Sequence, residues 1–212
     1  ILDIADLTVD GSLATGGAVC AIAITLGVNP WIAMLLAILA GMLSGFVTGF
    51  FHTVCGIPAI LAGILTQLAL YSLNLRILAL GSDATTKATL PLSVDNQQLL
   101  LSSRFVRAWA FNNPILLLAA LVLIVIGGLY WFFGTELGSS LRATGANPNM
   151  ARAQGINTNS AKVLALVISN GLVAMSGALL AQYQGSATVD MGRGAIVIGL
   201  AAIIIGDVLF GK

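Results

Sequence analysis

The chain has 212 residues, of which 58% are hydrophobic and 8% are charged, whereas an ordinary soluble domain carries roughly 25% charged residues. This composition excludes a soluble globular domain and indicates an integral membrane protein. The formal net charge of +1 leaves no basic surface to neutralise phosphates, so we expect no nucleic acid among the partners.

Windows of roughly 20 apolar residues predict about six membrane-spanning helices. They cover residues 12–28, 31–51, 57–79, 113–133, 161–182 and 194–210. The run 115–126 is apolar on every face, whereas a strand of a membrane barrel alternates apolar and polar residues. We therefore predict an all-α, polytopic bundle of transmembrane helices that forms a single domain over residues 1–212. Because the sequence starts without Met and stops abruptly at Lys212, we expect this domain to be truncated at both ends.

The second span carries Gly41, Gly45 and Gly49 at intervals of four residues. Small residues at this spacing lie on one face of a helix and let another backbone approach closely. The pattern predicts a helix-packing face. The partner is either a helix of the same chain or another subunit, and a solute-lining face is the third interpretation.

Polar residues interrupt the third and fifth spans. Those that we single out are Thr66, Gln67, Asn74, Ser169 and Asn170. A polar group in hydrocarbon is costly unless it is paired or lines a water-filled path. The two interpretations are hydrogen bonds between helices and a polar translocation path.

Two polar loops, residues 81–112 and 134–160, are predicted on opposite sides of the membrane. The Lys and Arg residues near them divide equally between the two sides. They are Arg142, Arg152, Lys162 and Lys212 on one side, and Lys87, Arg104, Arg107 and Arg193 on the other. The positive-inside rule therefore gives no orientation.

Few side chains are suited to chemistry. His52 is the only histidine, so the chain cannot build a histidine metal cluster, and its position at a span end predicts an interfacial hydrogen bond. Cys20 and Cys55 lie among apolar or small residues, which predicts packing. The run 206–212 fits only part of a phosphate-binding loop and lacks its Ser or Thr. We expect no catalytic residue, metal or cofactor on this chain.

Helix signals stand out in the loop 134–160. Asn147 suits an N-cap, Pro148 the first helical position and Gly155 a left-handed stop. They predict a helix of about two turns, too short to be stable alone. We therefore expect it to dock against something.

The segment 145–157, followed by the apolar span 163–180, resembles the cytoplasmic loop of permease subunits in bacterial ABC importers. That loop has a glycine and an asparagine, then an alanine and a Gly-Ile pair, as in Gly145, Asn147, Ala151, Gly155 and Ile156. Residues 4–12 with Gly16-Gly17-Ala18, and residues 194–206, resemble early and late segments of the same permeases. The chain resembles the group of permeases that serves branched-chain amino acids and ribose. Within that group, its residues are most similar to those of a branch associated with aromatic amino acid-type binding proteins.

This resemblance implies a membrane permease subunit that forms the translocation path and is driven by a separate ATPase. The short helix would be the coupling helix that contacts the ATPase, through Asn147, Pro148, Met150, Ala151, Arg152, Gly155 and Ile156. The implied partners are an ABC ATPase subunit, a second permease subunit that completes a homodimer, an extracytoplasmic solute-binding protein and membrane lipid. Residues 134–160 would then be the cytoplasmic coupling loop and residues 81–112 an extracytoplasmic loop, in the bacterial inner membrane.

Two alternatives have different consequences. A self-contained secondary carrier or channel would transport solute without any ATPase. A membrane-embedded enzyme would depend on His52 or on a serine, and the sequence lacks the glycine-flanked serine motif and the partner histidine that such an enzyme needs. The sequence does not identify the solute.

Overall fold

The computed structural model describes residues 6–80, 85–92 and 114–211. The helices in these ranges are α1 (Val9–Thr25), α2 (Pro30–Thr53), α3 (Ala59–Ala79), α4 (Pro114–Gly134), α5 (Glu136–Ala146), α6 (Pro148–Ala153), α7 (Thr158–Gln184) and α8 (Ala195–Phe210), and the strands are β1 (Thr89–Pro91) and β2 (Ser186–Thr188). The all-α prediction is confirmed, and the six predicted spans overlap α1, α2, α3, α4, α7 and α8.

Length and composition divide these helices into two groups. Helices α2, α3 and α7 are each long and apolar enough to cross a membrane. The pair α4 and α5 is bent by 78° and makes a fourth such element when it is counted as one span. Helices α1 and α8 are apolar but shorter, and the spans predicted there, 12–28 and 194–210, are likewise the shortest of the six.

The most extensive packing among the described helices joins α2 to α7. A Cβ atom added at Gly41 would collide with the carbonyl of Asn170, and one added at Gly45 would collide with the carbonyl of Leu166. At Gly49 it would lie 3.1 Å from the Cα of Val163. The numbering falls along α7 as it rises along α2, so the two helices are antiparallel. The glycine face of α2 therefore packs against a helix of the same chain.

Helix α1 lies against α7 and runs in the same direction. Ser12 bonds Asn170 near the start of this contact and Cys20 accepts a hydrogen bond from Gln182 near its end. Gly16 meets the carbonyl of Ala174 as closely as the α2 glycines meet α7. Helix α3 also packs against α1. Helices α1, α2 and α7 thus form the centre of the bundle.

A two-stranded sheet closes the end of the bundle where α1, α3 and α7 finish. Strands β1 and β2 are antiparallel, with Leu90 opposite Ala187. The sheet follows the left-handed Gly185, which ends α7 with a φ of 67°. The main apolar core lies next to it and includes Leu78, Leu92 and Ala178. The sequence did not predict these strands, because each has only three residues.

A polar network lies at the middle of the bundle. Thr8 bonds Thr48 across 2.8 Å, and Ser12 bonds Ser44 across 2.8 Å. Asn170 accepts a hydrogen bond from Ser12 and donates one of 2.7 Å to the Asp6 carboxylate. All of these side chains except Asp6 are buried. The network joins α1, α2 and α7 by side-chain hydrogen bonds, which supplement packing where no hydrophobic force drives helices together.

The Gly45→Ala variant should be less stable, because its methyl group would meet the Leu166 carbonyl and push α2 away from α7. We expect a loss of about 1–3 kcal/mol, the usual cost of overpacking. The matched control is Gly127→Ala, also in a helix, where an added Cβ meets nothing within 4 Å. Thermal unfolding in detergent, followed by circular dichroism, should separate the two variants. Equal stability would contradict the close packing.

The Asn170→Leu variant should lose about 1–3 kcal/mol, because it leaves Ser12 and Asp6 without their amide partner in the bundle. Ser176→Ala on the same helix removes only a hydroxyl that bonds its own helix at Val173, so it should change stability by less than about 0.5 kcal/mol. Guanidinium or urea titration of the solubilised protein measures both. A neutral Asn170→Leu would show that the network contributes no stability.

Candidate functional site

The short helix α6 is held at both ends by local backbone geometry. The side chain of Asn147 accepts hydrogen bonds from the backbone N–H of Asn149 and of Met150, at 3.1 and 3.2 Å. Pro148 occupies the first turn. Gly155 has a φ of 84°, which favours glycine. The sequence predicted these three positions.

The C-terminal end of α6 has the two hydrogen bonds of a Schellman motif. The N–H of Ile156 donates to the Ala151 carbonyl and the N–H of Gly155 donates to the Arg152 carbonyl, both at 3.0 Å. These bonds satisfy carbonyl groups that the end of a helix otherwise leaves unpaired. A helix of six residues is thus ordered without relying on its length.

One side of α6 packs on its own chain and the other is open. Ala151 is buried, so it anchors the helix rather than offering a contact surface. Met150 is 60% exposed. Arg152 is exposed, and its Nε donates a 2.8 Å hydrogen bond to Thr158 at the start of α7. A helix tied to α7 therefore exposes both an apolar side chain and a cation.

The loop 134–160 holds a second helix that the sequence analysis missed. Helix α5 has Thr135 as its N-cap, and it buries Gly138, Leu141 and Thr144 at intervals of three. Its sharp bend from α4 lets it turn onto α7, which it contacts. Its many Gly, Ser and Thr residues concealed the helix, because they are weak helix formers. The predicted loop is therefore a pair of helices, with α6 as the second.

The five polar residues of the predicted translocation path do not come together. Gln67 and Asn74 line one cavity beside α1, whereas exposed Ser169 lines another beside α4 and α5. Thr66 is buried and bonds the Ala62 carbonyl of its own helix. Asn170 belongs to the central network. Asn170 thus forms hydrogen bonds between helices, the first of the two interpretations. Gln67 and Asn74 lie in the wall of one cavity.

Helix α8 begins deep in the bundle, beside α1. The carboxylate of Asp10 accepts hydrogen bonds from the backbone N–H of Gly194 and of Ile196, at 3.3 and 3.2 Å. Asp10 lies between Thr8 and Ser12, which belong to the central network, so α8 starts near the level of Asn170 in the middle of α7. A negative charge there complements the positive end of the helix dipole. The sequence analysis did not assign this role to Asp10, because capping by a distant segment leaves no local pattern.

The remaining candidates have structural partners or are exposed. His52 donates through Nδ1 to the Ile57 carbonyl at 2.9 Å, the interfacial hydrogen bond that its position predicted. Cys20 is buried, as expected, but Cys55 is exposed in the turn after α2, so the packing prediction was wrong for it. Residues 206–210 are helical, which agrees with rejecting a phosphate loop there.

The loop predicted at 81–112 lies largely outside the described residues. Its described part, residues 85–92, contains β1, and the N–H of Lys87 donates to the Leu75 carbonyl at 3.1 Å. This part lies at the end of the bundle where α3 and α7 finish, whereas α6 lies beside the start of α7. Within the described ranges, the two polar regions therefore lie at opposite ends of α7.

The comparisons with known proteins agree on one family. The family model described as "Branched-chain amino acid transport system / permease component" matches residues 1–211. A tyrosine transport system permease protein of Clostridioides difficile is 41% identical over 215 residues, which cover 100% of this chain and 66% of that protein. An uncharacterized protein of Rickettsia prowazekii is 36% identical over 99% of this chain and 69% of its own length.

One more distant relative covers a shorter segment. The xylose transport system permease protein XylH of Escherichia coli is 31% identical over 104 residues, which are 46% of this chain and 26% of that protein. No solved structure matches the chain. The chain spans about two thirds of the length of the two relatives that it matches throughout. Since the family model covers nearly every residue and several apolar helices are present, the chain is a multi-pass membrane protein of the branched-chain amino acid transport system permease family.

Proposed function

We propose that this chain is part of the membrane permease subunit of an ATP-driven solute importer, and that α6 couples it to a separate ATPase subunit. The observation that carries the proposal is the form of α6. Hydrogen bonds fix both ends of this helix, Met150 is exposed on it, and the buried Ala151 anchors it to the bundle. A short helix with an ordered backbone and an exposed apolar side chain is suited to docking in a groove.

The positive charge of Arg152 indicates the chemistry of the partner. Arg152 lies in the last turn of α6, where a cation also complements the negative end of the helix dipole. Its Nε is bonded to Thr158, which leaves the terminal nitrogens of the guanidinium for another acceptor. We expect an ATPase groove with an apolar floor for Met150 and a carboxylate near Arg152.

The connection from α6 to the bundle is short and stiff. Residues 154–157 separate α6 from α7, and the Schellman bonds and the Asn157 cap of α7 fix most of them. The hydrogen bond from Arg152 to Thr158 crosses this connection. A push on α6 therefore moves the start of α7 instead of being absorbed in a loose loop. Through its glycine contacts, α7 passes that motion to α1 and α2.

The remaining partners follow from this orientation. If α6 faces an ATPase, the loop 134–160 is cytoplasmic, and the end of the bundle with β1 and β2 faces outward, where a solute-binding protein would dock. A second permease subunit, a copy of this one, would complete the path between two bundles in the inner membrane. ATP hydrolysis would occur on the ATPase, so this chain performs no covalent chemistry.

The solute is proposed from the relatives. The tyrosine transport system permease protein is the relative with higher identity and matches the whole chain, whereas the xylose relative matches less than half of it. We therefore propose an amino acid as the solute.

The Met150→Glu variant should lose ATPase association and ATP-driven uptake. The new carboxylate would have to enter the apolar part of the ATPase groove, which is also expected to hold a carboxylate for Arg152. We expect a loss of at least about tenfold in both, the effect of a buried unpaired charge. Copurification with the ATPase and uptake by proteoliposomes measure it.

The matched control is Leu26→Glu, which changes a similarly exposed apolar residue at the other end of the bundle and should leave ATPase association unchanged. Unchanged association and uptake in Met150→Glu would overturn the coupling role. Uptake by the wild-type subunit without any ATPase would instead favour a self-contained carrier or channel.

The Asn147→Ala variant should loosen α6 by about 1 kcal/mol, because it removes the acceptor for two backbone N–H groups. We expect faster amide hydrogen exchange at Asn149 and Met150, and weaker ATPase coupling. Asn147→Asp keeps an acceptor at the same place and should retain both protection and coupling. Equal exchange in the two variants would show that the cap does not order the helix.

A further inference from the structure

A small cavity of about 230 Å³ lies between α1, α3 and the segment 189–193. Its polar and aromatic lining residues are Asp10, Gln67, Tyr71, Asn74 and Arg193. Pockets for drug-sized ligands have about 300–1,000 Å³, so this one suits a small molecule. None of the residues in its wall belongs to α6.

Asn74 is the feature of this cavity that needs explaining. Its side chain is fully buried, and neither its amide nitrogen nor its amide oxygen has a hydrogen-bond partner among the described residues. Leaving such groups unpaired is costly, and nearly all buried polar groups in native proteins are satisfied. The other deeply buried asparagine, Asn170, follows that rule. An unpaired amide in a cavity wall indicates a ligand that pairs with it.

Charges of both signs line the same cavity as Asn74. The guanidinium carbon of Arg193 lies 5.6 Å from the centre of the Tyr71 ring, and its Nε lies 2.9 Å from an Asp190 oxygen. The side chain of Arg193 remains 69% exposed, so it stands at the rim. Asp10 supplies a carboxylate that already accepts hydrogen bonds from two N–H groups at the start of α8 and has lone pairs left.

We propose that this cavity binds a zwitterionic amino acid during its passage, an inference that rests on the proposed function. The carboxylate of the solute pairs with Arg193, its ammonium group with Asp10, and Asn74 and Gln67 bond its remaining polar atoms. The ring of Tyr71 provides an apolar surface for the solute side chain. A neutral sugar would bring no charge to either group, whereas a zwitterion adds a second counter-charge to Arg193 beside Asp190 and a full positive charge to Asp10, so the cavity favours an amino acid.

The test uses L-tyrosine and the full-length subunit. Binding of radiolabelled L-tyrosine to the subunit in lipid nanodiscs is measured without the ATPase, and ATP-driven uptake is measured in proteoliposomes with the ATPase and the binding protein. Asn74→Leu and Arg193→Gln should each weaken binding and raise the KM for uptake about 10- to 100-fold, because each loses a polar or charge-assisted bond to the solute. Asn74→Leu should fold, since it removes unpaired buried polar atoms.

Ser72→Ala is the matched control, because Ser72 is on α3 but faces outward and does not line the cavity. It should bind L-tyrosine like the wild type. Tyramine, which lacks the carboxylate, should bind the wild type at least about tenfold more weakly than L-tyrosine, and this preference should disappear in Arg193→Gln.

Three results would overturn the inference. They are no binding of L-tyrosine to the wild type, equal binding of L-tyrosine and tyramine, and variants that bind as the wild type does. If the cavity proposal is wrong and the proposed function is right, ATP-driven uptake would still be observed alongside any of these results. Uptake without an ATPase would overturn the proposed function, whereas a loss of L-tyrosine binding confined to the cavity variants would still support the site.

Discussion

The backbone contact between α2 and α7 is the interaction on which the rest of the structure depends. In lipid, no hydrophobic force brings helices together, so association rests on close packing and hydrogen bonds. Gly41 and Gly45 let the backbones touch, and Gly16 of α1 repeats this on another side of α7. A side chain at any of these positions would separate the helices and break the network around Asn170. Helix α7 is therefore packed along its length against α1 and α2.

This packing makes α7 a stiff element. Its two ends are attached to different parts of the molecule. Its start carries the cap at Asn157 and the bond from Arg152, which tie it to the exposed helix α6. Its other end runs into β2, which pairs with β1. Between them lie the polar network and, through Asp10, the start of α8. Motion that enters at α6 thus reaches the middle of the bundle without passing through a flexible segment.

The sequence predicted the features that depend on neighbouring residues. The apolar runs located the helices, and Asn147 with Gly155 located the ends of α6, because caps and left-handed glycines act over a few residues. It missed the role of Asp10, whose partners lie more than 180 residues away. It also treated Asn74 and Asn170 alike, although one is unpaired and the other is fully bonded, since only tertiary packing decides which groups meet.

The central claim is that α6 is the point where an ATPase meets this chain, and site-specific crosslinking tests it most directly. Cys55 is exposed, so Cys55→Ser provides the background, with single cysteines then introduced at position 150 on α6 and at position 26 at the opposite end of the bundle. In the assembled transporter, a short thiol crosslinker should join the ATPase to the cysteine at position 150 and not to the one at position 26. Capture of the ATPase at neither position, or equally at both, would contradict the account.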